Sequence, residues 1–115
     1  MKYADLLKDP RWKKRRLDIL ERDGNRCQMC GEKNQLHIHH RTYLNRVPWD
    51  YPDEYLVTLC EDCHDSEGEL RPRVEKQILD DLRLKFFYRD LNAFRETIKK
   101  IEPVVWVKRP EEDDY

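Results

Sequence analysis

Apolar positions recur along this chain in two rhythms. Between residues 10 and 22, Trp12, Leu17, Ile19 and Leu20 stand among charged residues at helical spacing. Asp9-Pro10 supplies an N-cap and a proline for the first helical position, and Asp23-Gly24-Asn25 supplies a stop. Lys13 to Arg16 run round this predicted helix, so they cannot all be buried. From Leu36 the rhythm changes to alternation. Leu36-His37-Ile38-His39 reads as a short strand and Leu56-Val57-Thr58-Leu59 as its partner. The stretch from Tyr43 to Asp53, with two prolines, reads as a loop pinned by Trp49. From Cys63 the chain is expected to turn into a short helix. Residues 72–101 are helical in pattern, with one stripe at Val74, Ile78, Leu82 and Phe86 and another at Leu91, Phe94, Ile98 and Ile101. These stripes fit one bent helix or two, with Asp90 or Asn92 to cap the second. Glu102-Pro103 ends the segment. Val104 to Val107 reads as a short strand or an extended arm, and the acidic end as a disordered tail.

Composition narrows the picture. With 115 residues, 38% hydrophobic and 41% charged, the chain has a thin core of the kind that needs a staple. Three Trp, six Tyr and three Phe argue against disorder, because each large ring buries much area. The net charge of −1 conceals an asymmetry. Residues 11–46 are rich in Arg and Lys, whereas Glu111, Glu112, Asp113 and Asp114 close the chain with the opposite sign. A basic half suits a polyanion, and mixed charge also suits an ordinary solvated face. No apolar run approaches the ~20 residues a bilayer span needs, so no membrane association is expected. The N-terminus has no apolar signal region, which leads to an expectation of a reducing, cytoplasmic setting.

The four cysteines form two C-x-x-C pairs, Cys27/Cys30 and Cys60/Cys63. Each pair can occupy two corners of a tetrahedron from a short turn, and two pairs make a closed four-sulfur site of the structural zinc type. An iron–sulfur cluster also takes four cysteines, though this spacing is less usual for one. Two disulfides would need an oxidising compartment. All four histidines lie in or beside the same segment: His37, His39 and His40 before the loop, and His64 directly after Cys63. Such convergence points to a second metal, with chemistry.

Cys27-x-x-Cys30, then Leu36-His37-Ile38-His39-His40, then Pro48-Trp49-Asp50-Tyr51-Pro52-Asp53, then Leu56-Val57-Thr58-Leu59-Cys60-x-x-Cys63-His64 resembles the HNH endonuclease family, in its zinc-stapled bacterial and phage form. The resemblance covers about residues 10–68. It implies an α+β fold: a ββα-metal finger with a structural zinc on Cys27, Cys30, Cys60 and Cys63, flanked here by an N-terminal helix and C-terminal helices. It implies His40 as the general base, and His39 and His64 as ligands of a catalytic divalent cation, magnesium or manganese, with nickel or zinc tolerated. The implied activity is hydrolysis of DNA phosphodiester bonds, leaving 5′-phosphate and 3′-hydroxyl ends. The chemistry is coherent: an imidazole makes the nucleophile near neutral pH, and a cation offsets charge in the transition state.

The sequence departs from the family pattern twice. The position of the family's central asparagine, which orients the base, is Tyr55. Where some members carry a further histidine ligand one turn after His64, this chain has Gly68, with Glu67 or Glu69 as substitutes only if the helix allows. His37 shares a strand face with His39 and reads as a strand residue or a support to the site. Arg41, Lys13, Lys14, Arg15 and Arg16 are expected to contact DNA phosphates. The expected division is an HNH domain with its N-terminal helix over residues 1–70, a helical extension over 71–103, and an arm and acidic tail over 104–115. The segment 72–101 is the expected surface for a homodimer or a larger nuclease assembly, in phage or in bacterial defence. A degenerate HNH module that binds nucleic acid or protein without cutting is the competing expectation, and Tyr55 is its best support.

Overall fold

The structure, a computed structural model, describes residues 2–110, so the acidic residues from Glu111 on lie outside the described residues. It divides into two compact units, one of residues up to His64 together with those from Val105 on, the other Asp65–Val104.

In the first unit a short helix α1 (Tyr3–Leu6) precedes α2 (Pro10–Arg22). The Asp9 carboxylate caps α2 by accepting the Arg11 N–H at 2.8 Å. Gly24, at φ +69°, takes the left-handed turn that ends α2, and Asn25 N–H returns to the Leu20 carbonyl at 2.9 Å. Trp12, Ile19 and Leu20 are buried, and Arg15 and Arg16 lie half-buried along the same face. Leu17 is instead 60% exposed. Five residues after Trp12, it falls about 140° round the helix, away from that face.

Strands β1 (Leu36–His40) and β2 (Leu56–Cys60) pair antiparallel, Leu36 opposite Cys60 and His40 opposite Leu56. In β1 the alternation is as expected: Ile38 and His40 point into the core, His37 out, and His39 is half-buried beside it. Strand β2 is buried along its whole length. Between the strands run two single 3-10 turns, Pro48–Asp50 and Asp53–Tyr55. Trp49 packs against the core only in part. The stronger pin is Tyr51, 2% exposed. Its hydroxyl accepts the Leu44 N–H at 2.8 Å and donates to the Leu44 carbonyl at 2.9 Å.

Two apolar clusters hold this unit. Trp12, Ile19, Leu20, Ile38, Tyr51 and Leu56 join α2 to the hairpin, and Val57 and Leu59 pack around Cys27 and Cys60 on the other side. Between them sits Asp23, fully buried. Its carboxylate accepts from Arg22 at 2.8 and 3.0 Å, from the Thr58 N–H at 2.9 Å and from Arg109 at 2.7 Å. Burial opposes its charge, but these donors outweigh it and hold its pKa below the usual carboxylate range. Residues 104–107 form no strand. They run as an arm whose Trp106 and Val107 N–H groups both donate to the Gln28 carbonyl, at 2.8 and 3.0 Å.

Helix α3 (Glu61–Lys85) starts directly after β2 and runs 25 residues, far longer than the short helix expected after Cys63. It continues through Pro72, whose missing N–H leaves the carbonyl of exposed Gly68 to solvent. Helix α4 (Tyr88–Ile98) follows, so the apolar stripes belong to two helices. Asp90 caps α4 from its third position, accepting the Phe87 N–H at 3.0 Å. Phe86 meets Phe94 edge-to-face at 4.9 Å. Neither helix has a buried residue. Among the described residues no helix is long and apolar enough to cross a membrane. The whole is α+β, with β1, β2 and the start of α3 making a ββα finger around four cysteines.

Candidate metal centres and the histidine cluster

The first cysteine pair sits on a tight turn. Gly31 N–H bonds back to the Cys27 carbonyl at 2.9 Å, Cys27 N–H takes the Glu32 carbonyl at 2.8 Å, and Gly31 adopts φ +85°, where a side chain would strain the backbone. The second pair spans the end of β2 and the first turn of α3. The four Sγ atoms all lie within 4.8 Å of one another, with Cys30 and Cys60 at 3.6 Å. Four thiolates on one tetrahedral zinc at ~2.3 Å stand about 3.8 Å apart, so the set fits that ion. Although burial opposes ionisation, N–H groups of Cys60, Cys30 and Met29 pull the Cys27 thiol down to about 7. Burial and the neighbouring sulfurs push Cys63 the other way. Such crowding resists a second thiolate and favours a dication at the centre.

His39 and His64 come together from β1 and α3. Their ring centroids are 5.3 Å apart and the rings are nearly perpendicular, at 84°. Imidazoles that share one cation at ~2.0–2.1 Å bring their centroids to about 5 Å, a separation this pair meets. His37 also stacks on His64, at 5.3 Å and 26°.

His40 points to the opposite face of the hairpin and is 7% exposed. Its ring lies between Trp12, stacked at 5.4 Å, and Tyr43, stacked at 5.1 Å. The Tyr51 edge approaches to 4.8 Å, and the Tyr3 hydroxyl stands 2.9 Å from Nε2. Burial foremost, then the charges of His39 and His64, lower its pKa from 6.5 to about 4, so the ring is neutral at pH 7. Tyr55, at the asparagine position, turns its half-buried ring toward Tyr51 at 6.4 Å, and its carbonyl accepts the Arg41 N–H at 2.8 Å. Thus the residue after His40 is tied down through the main chain of Tyr55.

The basic residues divide. Arg15 donates to the Tyr51 carbonyl and pairs with Asp53, each at 2.6 Å, and Arg16 donates to the Leu36 carbonyl at 3.0 Å. Lys13 and Lys14 are exposed, Lys14 pairing with Asp18 at 2.7 Å. Arg11 lies over the Trp49 ring at 4.2 Å. Sequence reasoning missed Tyr3 and Arg109 altogether, and it saw Asp23 only as part of a helix stop and Tyr51 only as a letter of the motif. Nothing local marked Tyr3, because its importance comes from a partner 37 positions away.

Residues 27–70 match the family model of the HNH endonuclease. Both cysteine pairs, both strands and all four histidines fall in that span. Over 81 residues the chain is 33% identical to the Zorya protein ZorE of Escherichia coli, an alignment covering 63% of this chain and 21% of that protein. The chain therefore spans about a fifth of the length of this curated relative. No solved structure matches.

Proposed function

We propose that the chain is a divalent-metal-dependent HNH endonuclease that hydrolyses DNA phosphodiester bonds, with zinc on the four cysteines as its structural staple. The observation that carries the reading is the meeting of His39 and His64 at 5.3 Å on a hairpin closed by the cysteines, with neutral His40 next in the chain. A cation on His39 and His64 would supply counter-charge to the phosphate oxygens. His40 takes a proton from water as the water oxygen bonds to phosphorus; the P–O bond to the leaving sugar oxygen breaks, and solvent returns a proton to that oxygen. Two protein ligands leave positions for water and phosphate, as magnesium or manganese prefers. Lys13, Lys14 and Arg41 serve as phosphate contacts, whereas Arg15 and Arg16 have carbonyl partners of their own.

One observation favours a binding module without cleavage: His40 is enclosed by aromatic rings, and its Nε2 is already engaged by Tyr3. Supercoiled plasmid decides between the two. Incubated with magnesium, manganese or nickel, the protein is expected to nick it, and His40→Ala, at wild-type fold and zinc content, to lose ~100-fold or more of that rate. DNA that is retarded but uncut with every metal would establish the binding module instead.

A further inference from the structure

We propose that α3 pairs with α3 of a second copy of this chain, antiparallel, through the face that carries Leu70, Val74, Ile78 and Leu82. This goes beyond the nuclease reading and does not rest on it.

The face lacks a cover of its own. Leu70, Val74 and Ile78 are each about half exposed, and α3 has no buried residue. A helix of this kind draws most of its stability from packing an apolar stripe against a second surface. The positions of the stripe identify that surface. Leu70 and Leu82 stand six residues to either side of Lys76, and Val74 and Ile78 stand two to either side. Turned end for end about Lys76, the stripe falls on itself: Leu70 meets Leu82 of the second copy, and Val74 meets Ile78. At about 100° per residue, Lys76 lies opposite the middle of the stripe and stays clear of the contact.

The charges obey the same rule. Arg71 and Asp81 stand five residues to either side of Lys76, and Glu67 and Lys85 stand nine. All four fall within the same ~120° of helix surface as the stripe. The antiparallel pairing brings Arg71 to Asp81 of the second copy and Glu67 to Lys85, and each pair occurs twice. A parallel pairing in register would set every one of these residues against its own like, which is costly. Within one chain Arg71 pairs with Glu67 and Glu75 of its own helix, and among the described residues Asp81 and Lys85 have no ion-pair partner. A face that complements itself at apolar and charged positions alike suits an isologous two-fold contact. A different protein would not require one helix to carry both halves.

The test is sedimentation velocity of the intact zinc-loaded chain, without DNA, over a range of concentrations. Helix content and zinc content are checked for every variant. Wild type is expected to pass from monomer to dimer as concentration rises. Ile78→Glu, at an exposed position, should fold and sediment as a monomer. Arg71→Asp and Asp81→Arg each set like charges together twice in the dimer, and each should weaken it about 10-fold or more. The double variant R71D/D81R, and an equimolar mixture of the two single variants, restore both pairs and should bring dimerisation back towards wild type. A wild type that stays monomeric even at millimolar concentration overturns the proposal, and leaves the face to a different protein. So does a dimer that Ile78→Glu leaves intact, which would lie on another surface. A double variant that dimerises no more tightly than either single variant overturns the antiparallel register. Should Ile78→Glu lose its helix, the charge exchange decides alone.

Discussion

The two compact units have opposite relations to water. The cysteine-bearing unit buries Trp12, Ile19, Leu56, Tyr51 and even a carboxylate, Asp23. The unit Asp65–Val104 is regular helix for most of its length, with no buried residue in α3 or α4. Leu70, Val74, Ile78 and Ile98 are all half-exposed or more. The amphipathic stripes read from sequence are therefore real as periodicities in both regions, but only in the first do they become a core. Periodicity specifies an element; burial requires a second surface at the right distance. In the first unit a metal-shaped turn and a long pinned loop bring that surface round.

Removing the metal should separate the units most sharply. Cys60→Ala, or chelation of wild type, takes away a site worth on the order of 10 kcal/mol in small domains. The expected result is collapse of amide dispersion for residues 26–64, with much of the far-ultraviolet helical signal kept. Native dispersion after chelation would show that the apolar clusters suffice without the ion.

A smaller effect is expected from the charged groups, and it should differ between the units. Asp23→Ala leaves Arg22 and Arg109 without their buried partner, and should lower stability by about 3–5 kcal/mol in urea titration. Because the folded Asp23 pKa lies below its unfolded value, its contribution is complete above about pH 4 and is lost as pH falls through the folded pKa. In the helical unit Arg71 pairs with Glu67 and Glu75 one turn to either side, with all three side chains reached by solvent. Glu75→Ala should therefore change stability by about 0.5 kcal/mol or less. A cost near that of Asp23→Ala would mean that α3 is covered in solution.

Much of this was legible in the sequence because it rests on short-range rules. The bounds of α2 followed from Asp9-Pro10 and Gly24, and β1 from alternation. The cysteine site followed from spacing. His39 and His64 were paired by resemblance, and the structure brings their rings together. What the sequence hid depends on distant partners. Arg15 and Arg16 read as surface cations, yet they stand on the inner face of α2, where their guanidinium groups satisfy carbonyls of Tyr51 and Leu36. Leu17 was grouped with the helix's other apolar residues, although its angle round the helix points it outward. The length of α3 was hidden by Pro72, which ordinarily marks a boundary.

The arm from Val105 to Pro110 has a consequence for the order of events in synthesis. Its N–H groups close on Gln28 and its Arg109 on Asp23, although the whole of Asp65–Val104 intervenes in the chain. A ribosome making this protein N-terminus first has made both cysteine pairs and the hairpin before the arm exists. Until then the Gln28 carbonyl and one side of the Asp23 carboxylate have only water as partner. The metal-bearing unit is thus a clasp whose tongue is made after the rest of it, and its final rigidity waits for the arm.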